Sequence, residues 1–188
     1  KYFPELIISI DTFRSQVAKI AVSAGAHIIN DVSGGTLDGD MFDTVANLHV
    51  PYILMHMRGN PKTMNTLTVY DDLITDILQD LSLKLRLLQE KGVADVMIDP
   101  GFGFSKTTAQ NFELMNKLEE FKLLGLPILV GISRKRMIYH TLGGEATDAL
   151  NGTTVLNTIA LNKGASILRV HDVKEAAEAV KLYQALQG

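Results

Sequence analysis

Apolar residues along this chain follow two rhythms in turn. Short aliphatic runs at Leu6–Ile10, His27–Ile29, Pro51–Met57, Val96–Ile98, Pro127–Ile132 and Ser166–Val170 read as strands covered on both faces. Between them apolar positions recur three and four residues apart, the spacing of a helix with one buried stripe. That second rhythm predicts helices over 14–24, 38–48, 70–91 and 107–124, another after Asp148 and a last one to about Leu186. The expected stripes are Val17, Ile20, Ala21 and Ala24 in the first helix, and Val155, Leu156, Ile159 and Ala160 in the fifth. In the longest, Leu73, Ile74, Ile77, Leu78, Leu81, Leu85 and Leu88 share a face.

Punctuation supports these bounds. Gly25, Gly92 and Gly164 stand where helices stop. Asp71 and Asp72 open the longest helix while Arg86 and Lys91 lie towards its end, as the helix dipole favours. Thr107 with Gln110, and Asp172 with Glu175, have capping-box spacing, and Asp148 is placed to cap the fifth helix. Residues 143–148 read as an exposed loop.

Six strand-then-helix repeats without a hairpin signal imply a parallel sheet with helices outside it. A doubly wound sheet calls for a glycine-rich phosphate loop after its first strand, and neither G-x-G-x-x-G nor a P-loop occurs. A β/α barrel instead concentrates chemistry at the C-terminal ends of its strands. Asp11, Asn30, Met55 with His56, Asp99, Ser133 with Lys135, and Arg169 with His171 all fall there. Any one of them is ordinary turn or cap chemistry, as Asp99 before Pro100 and Gly101 illustrates. Six in succession favour a TIM-type (β/α)8 barrel. Because a closed barrel takes eight units and about 250 residues, the six units here read as strands three to eight. The expectation is one N-terminally truncated domain over residues 1–188.

Composition narrows the partners. With 188 residues and 46% hydrophobic content the chain can bury a core of its own. A formal charge of −3 gives no electrostatic reason to expect nucleic acid or an anionic membrane. The absence of cysteine removes disulfides, thiolate metal sites and thiol nucleophiles, and suits a reducing, cytoplasmic setting. No apolar run approaches the roughly 18 residues of a spanning helix, and Lys1–Glu5 lacks the form of a signal peptide. Arg134 and Arg136 flank Lys135 without interleaved aromatics, so they are assigned to solvent and salt bridges. His56 has no second histidine at ligand spacing, which argues against zinc.

Ser9-Ile-Asp-Thr12, Asn30-Asp-Val-Ser-Gly34, Leu54-Met-His-Met57 with Gly59-Asn-Pro61, Asp99-Pro-Gly-Phe-Gly-Phe104, Ser133-Arg-Lys135 and Arg169-Val-His-Asp172 occur in one order from end to end. As an ordered set they resemble the dihydropteroate synthase family. The resemblance implies a transferase of folate biosynthesis, a sulfonamide target. It condenses 6-hydroxymethyl-7,8-dihydropterin diphosphate with para-aminobenzoate, releasing diphosphate and 7,8-dihydropteroate. By the same resemblance Asp99, helped by Asn30, accepts paired N–H bonds from the pterin, and Asp11 stabilises positive charge developing on it. Lys135 reaches the pterin carbonyl, Ser133 the para-aminobenzoate carboxylate, and Arg169 with His171 the diphosphate. Met55 and Phe104 form apolar walls, and Asp11 and Lys135 are the catalytic pair. The family further implies Mg2+, held by an asparagine upstream of Lys1 with no metal ligand in this chain, and a homodimer when complete.

Two expectations follow from the truncation: the chain keeps most of a pterin pocket without turnover, and its open strand edges invite association. Two other readings stay open. One is a pterin- or folate-binding barrel of the corrinoid methyltransferase type; the other is a non-catalytic synthase relic.

Overall fold

Strand and helix alternate throughout a computed structural model that describes residues 3–188. The strands are β1 (Ser9–Asp11), β2 (Ile28–Asp31), β3 (Tyr52–Met55), β4 (Val96–Asp99), β5 (Ile128–Val130) and β6 (Ala165–Leu168). The α-helices are α1 (Ser15–Ser23), α2 (Met41–Leu48), α3 (Leu73–Glu90), α4 (Thr108–Asn116), α5 (Arg136–Leu142), α6 (Leu150–Asn162) and α7 (Val173–Gln187). The strands form one sheet in sequence order, every neighbouring pair parallel, with one register slip at Ile128/Leu129.

The sheet is a half-barrel. Neighbouring strands lie about 4.8 Å apart, so a flat sheet of six holds its edges about 24 Å apart. Here Arg169, just beyond β6, contacts Asp11 of β1 at 2.7 Å. Only a strongly curled sheet brings its two margins within reach of one ion pair.

Alternation along each strand separates two environments. Ile29, Tyr52, Leu54, Val96, Ile98 and Val130 face outward into the helical layer, where Ile77, Leu81, Leu88, Phe102 and Phe121 are fully or almost fully covered. The stripe of α3 is buried as its spacing predicts, except that Leu78 is only partly covered and Lys84 joins the buried face. Asp72 caps this helix, its Oδ1 accepting from Thr75 N at 2.8 Å.

Two helices are rotated away from their apolar stripes. In α1 the buried residues are Ser15 and Ala18, while Val17 and Ile20 are 40% and 62% exposed. The cause is a tether: Ser15 N donates to Asp38 Oδ2 at 2.7 Å and turns the serine face inward. In α6, Thr153, Asn157, Ala160 and Leu161 are buried, while Val155 and Ile159 face out. Here Thr153 Oγ1 accepts from Arg134 N at 3.0 Å.

Several boundaries also differ. Leu6–Ile8 precede β1 and are exposed. The capping box of Thr107 and Gln110 forms, but its helix ends at Asn116 and continues as a 3-10 turn, Leu118–Leu124. Asp148 does not cap α6; it belongs to a 3-10 turn, Ala146–Asp148, inside the expected loop, and its carboxylate accepts from Glu145 N. Asp172 does not cap α7, because both its oxygens are taken by the Arg134 guanidinium at 2.8 and 2.9 Å. Helix α5 was not expected: two turns offer too few repeats to establish a period.

Candidate active site

The inner face of the half-barrel carries the residues that alternate with the outward ones. Ser9, Ile28, Ile53, Met97, Leu129 and Ile167 line its floor. Two residues further on, at the last inward position of each strand or just past it, come Asp11, Asn30, Met55, Asp99, Gly131 and Arg169. Period-two geometry therefore sets five side chains from distant parts of the chain, with a glycine at the sixth place, on one face; of these, Asp11, Asn30 and Arg169 line a hollow of about 340 Å³.

Asn30 Nδ2 donates to Asp11 Oδ1 at 2.5 Å, and Asp11 Oδ2 accepts from Arg169 Nη2 at 2.7 Å. The amide nitrogen must face the carboxylate, so Asn30 Oδ1 is the free end. Among the described residues it is buried without a partner, a condition that costs about 1–3 kcal/mol unless a ligand N–H fills it. Asn30 is held there by Asp31, which points to the other face and accepts from Ser33 N, Ser33 Oγ, Gly35 N and Tyr52 Oη at 2.7–2.8 Å.

Asp99, the register partner of Met55, is 6% exposed and accepts from Gly101 N at 2.8 Å. Burial raises its carboxyl above the usual value; Lys135, the Gly101 N–H, Lys106 and Arg169 pull the other way without overcoming it. Burial also pushes Lys135 down to about 8, against Asp99 and with Arg169. The Lys135 ammonium donates to Phe102 O and lies 4.7 Å from the centre of the Phe104 ring. Met55 is almost fully buried in β3.

Ser133 and His171 sit one step beyond Gly131 and Arg169, and they pair with each other. Ser133 Oγ accepts from His171 N at 3.2 Å and lies 3.1 Å from its Nδ1. Arg169 and His171 therefore diverge, one towards β1 and the other towards β5. Ser133 lines neither the hollow nor a second cavity beside it. That cavity, about 530 Å³, is bounded by Gly103, Phe104, Lys106, Lys135 and Arg136. So Asp11, Asn30, Met55, Asp99 and Arg169 belong to the inner face and Phe104 and Lys135 to the adjoining cavity, while Ser133 and His171 line neither space.

Two residues of this second cavity were given no role in the site from the sequence: Lys106 was not singled out, and Arg136 was assigned to solvent and salt bridges but lines the cavity. Arg136 begins α5, and Lys106 directly precedes the cap of α4. A cation is unfavourable at a helix N-terminus, and that misplacement was the available signal. Arg134, by contrast, does go to a salt bridge, with Asp172.

Among the described residues no three His, Cys, Asp or Glu side chains cluster as a metal site. No step below runs through a metal ion.

A family model described as pterin binding enzyme matches residues 1–171. The chain belongs to this family of pterin binding enzymes. Among its similar members, the dihydropteroate synthase of Synechocystis is 43% identical over 185 residues, covering 97% of this chain and 64% of that protein. The folic acid synthesis protein fol1 of Pneumocystis carinii is 43% identical over 197 residues, 99% of this chain and 26% of its own length. Among solved pterin binding enzymes, the dihydropteroate synthase from Xanthomonas albilineans in complex with 7,8-dihydropteroate matches with a TM-score of 0.90 at 37% identity. That match covers 97% of this chain and 69% of the other. The chain thus spans a little under two-thirds of the cyanobacterial relative and about a quarter of the fungal one.

Proposed function

We propose that this chain carries the pterin site of a dihydropteroate synthase, the enzyme that joins 6-hydroxymethyl-7,8-dihydropterin diphosphate to para-aminobenzoate. The observation that carries the reading is the pairing, on one concave face, of a buried carboxylate with an orphaned amide oxygen, Asp99 with Asn30 Oδ1. A pterin is flat and edged with N–H donors, and this edge of acceptors is complementary to it. Asp99 Oδ2, which the bond to Gly101 does not use, is the acceptor we assign to that edge.

In the reaction the aniline nitrogen attacks the pterin methylene carbon, the C–O bond to diphosphate breaks, and the nitrogen loses a proton. Positive charge grows on the pterin as diphosphate leaves. Asp11 lies on the same face to stabilise it, more in the transition state than in the ground state. Arg169, half-exposed, leaves Asp11 for the departing diphosphate and so releases the carboxylate to the developing cation. His171, two residues further on, is assigned to the same anion.

We assign the aminobenzoate to the cavity beside Phe104, its ring against the phenylalanine and its carboxylate towards Arg136. Lys135, which lies between the two spaces, reaches the pterin carbonyl. Two copies are proposed to pair through an apolar groove between α5 and α6, lined by Phe112, Ile138, Leu142, Val155 and Leu156. Among the described residues no helix is long and apolar enough to cross a membrane. We assign a cytoplasmic location on the cysteine-free composition.

Titration calorimetry with the dihydropterin diphosphate tests the reading. Saturable binding by the chain, weakened in Asp99→Asn, is the expected result. Absence of binding, or preference for methyltetrahydrofolate, would overturn it.

A further inference from the structure

Lys106 is 9% exposed and has no carboxylate within ion-pair distance among the described residues. Its three ammonium protons meet three acceptors: Gly101 O at 3.0 Å, Phe104 O at 3.1 Å and His56 Nδ1 at 3.1 Å. The ammonium has only donors, so Nδ1 of His56 accepts and the ring proton sits on Nε2; burial first and then Lys106, Lys84 and Arg58 push the imidazole pKa down to about 2. It is a neutral ring on the exit of β3, and its backbone N–H is held by Asp99 O at 2.9 Å.

The loop is shaped for this cation. Gly101, Gly103 and Ser105 have φ of 78°, 77° and 47°, and three left-handed residues in five bend the Gly101 and Phe104 carbonyls towards one point. Between them, Phe102 O points to Lys135 instead. Three carbonyls of one short loop are thus shared between two ammonium groups. On the far flank Tyr70 Oη donates to Ser105 O at 2.9 Å, and Ser105 Oγ accepts from Arg58 N at 3.0 Å.

We propose that Lys106 is the positioning residue of the aromatic arm of this site: its enclosed ammonium holds the 101–106 loop in the shape that sets Phe104 against Lys135, and so governs the aminobenzoate cavity rather than the pterin hollow. The assignment of the two spaces rests on the function proposed above; the hold on the loop does not. The groups facing Lys106 are Asp99 from β4, His56 and Arg58 after β3, Asp80 from α3 and Lys135 after β5. Burial, helped by Lys135 and Arg58 and opposed by Asp99 and Asp80, brings Lys106 down to about 7. Above that pH the amine has two protons for three acceptors, and one acceptor is released.

The test compares the wild-type chain with Lys106→Met and Lys106→Arg. Hydrogen exchange read by NMR, corrected for intrinsic rates, is expected to show at least tenfold lower protection over 102–106 in Lys106→Met, with partial recovery in Lys106→Arg. Calorimetry is expected to give dihydropterin diphosphate affinity within threefold of wild type, and more than tenfold weaker aminobenzoate binding to the pterin-loaded chain. Unchanged loop protection, or equal loss of both ligands, overturns the proposal. A wild-type chain that binds no dihydropterin refutes the functional reading, and the loop protection then decides this one. Should Lys106→Met fail to fold, Phe104 ring resonances of the wild type must titrate with a midpoint near pH 7; a flat profile from pH 6 to 8.5 is the refuting outcome.

Discussion

Removing a single oxygen atom from Tyr52 is expected to destabilise the fold by about 1.5–3 kcal/mol, the range for a lost hydrogen bond to a charged group. Tyr52 and Asp31 are both fully buried, and the phenol donates to Asp31 Oδ2 at 2.7 Å. Burial, and Asp31 beside it, raise the phenol well above its usual pKa, so the tyrosine is the proton donor and the aspartate carries the charge. Three other donors reach that carboxylate, Ser33 N, Ser33 Oγ and Gly35 N. Tyr52→Phe leaves it one short without disturbing the ring, whose edge packs on Phe42 at a 6.0 Å centroid separation. At roughly 2–4 °C per kcal/mol for a chain of this size, the melting midpoint should fall by about 3–12 °C. Urea unfolding should show a lower midpoint with an unchanged slope. A stability change within 0.5 kcal/mol would mean that Asp31 is not held as a hydrogen-bonded anion. The account of how β2 is aimed, with Asp31 anchored outward and Asn30 inward, would then fail with it.

Asp99→Asn should weaken dihydropterin binding by about 1.5–3 kcal/mol, roughly tenfold to 150-fold by calorimetry. Since burial raises the Asp99 pKa, binding by wild type should decline on acidification at a higher pH than for a solvated aspartate, and this decline should be missing in the variant. The same sign makes the ionised group a burden on stability above its folded pKa, so Asp99→Asn should melt above wild type at neutral pH and lose that advantage in acid. Gly101→Ala places a methyl group 2.0 Å from His56 O at a φ of 78°; a loss of about 3 kcal/mol or more, or no soluble protein, is expected, and near-wild-type unfolding would contradict the loop geometry. Leu142 and Val155 are 64% and 50% exposed beside the apolar groove, so light scattering should show association that Val155→Glu abolishes; identical masses would dismiss that groove as the contact.

Asp11, Asn30, Asp99 and Arg169 were legible in the sequence for a geometric reason. Parallel strands all end on the same side, and alternation decides which of two adjacent residues faces the centre. The rotations of α1 and α6 were not legible, because they depend on partners far away in sequence: Asp38 for Ser15 and Arg134 for Thr153. Asp172 looks like a cap until Arg134, 38 residues earlier, is brought to it. The directions taken by Arg169 and His171 are of the same kind: two-residue spacing sets both on one side of an extended chain, and each then turns to its own partner. Lys106 shows what a local pattern leaves out. Its neighbours in sequence advertise a turn, while its role rests on His56, fifty residues away.

The contact between Asp11 and Arg169 has a further consequence for how the mouth of the half-barrel behaves. Both side chains are about half-exposed, so their attraction is worth about 1 kcal/mol or less. A weak clasp of this sort keeps opposite charges neutral until a guest arrives and yields to any ligand bearing several negative oxygens. An anion that captures the arginine frees the aspartate, so a single exchange of partners changes the charge presented at the ends of β1 and β6 together.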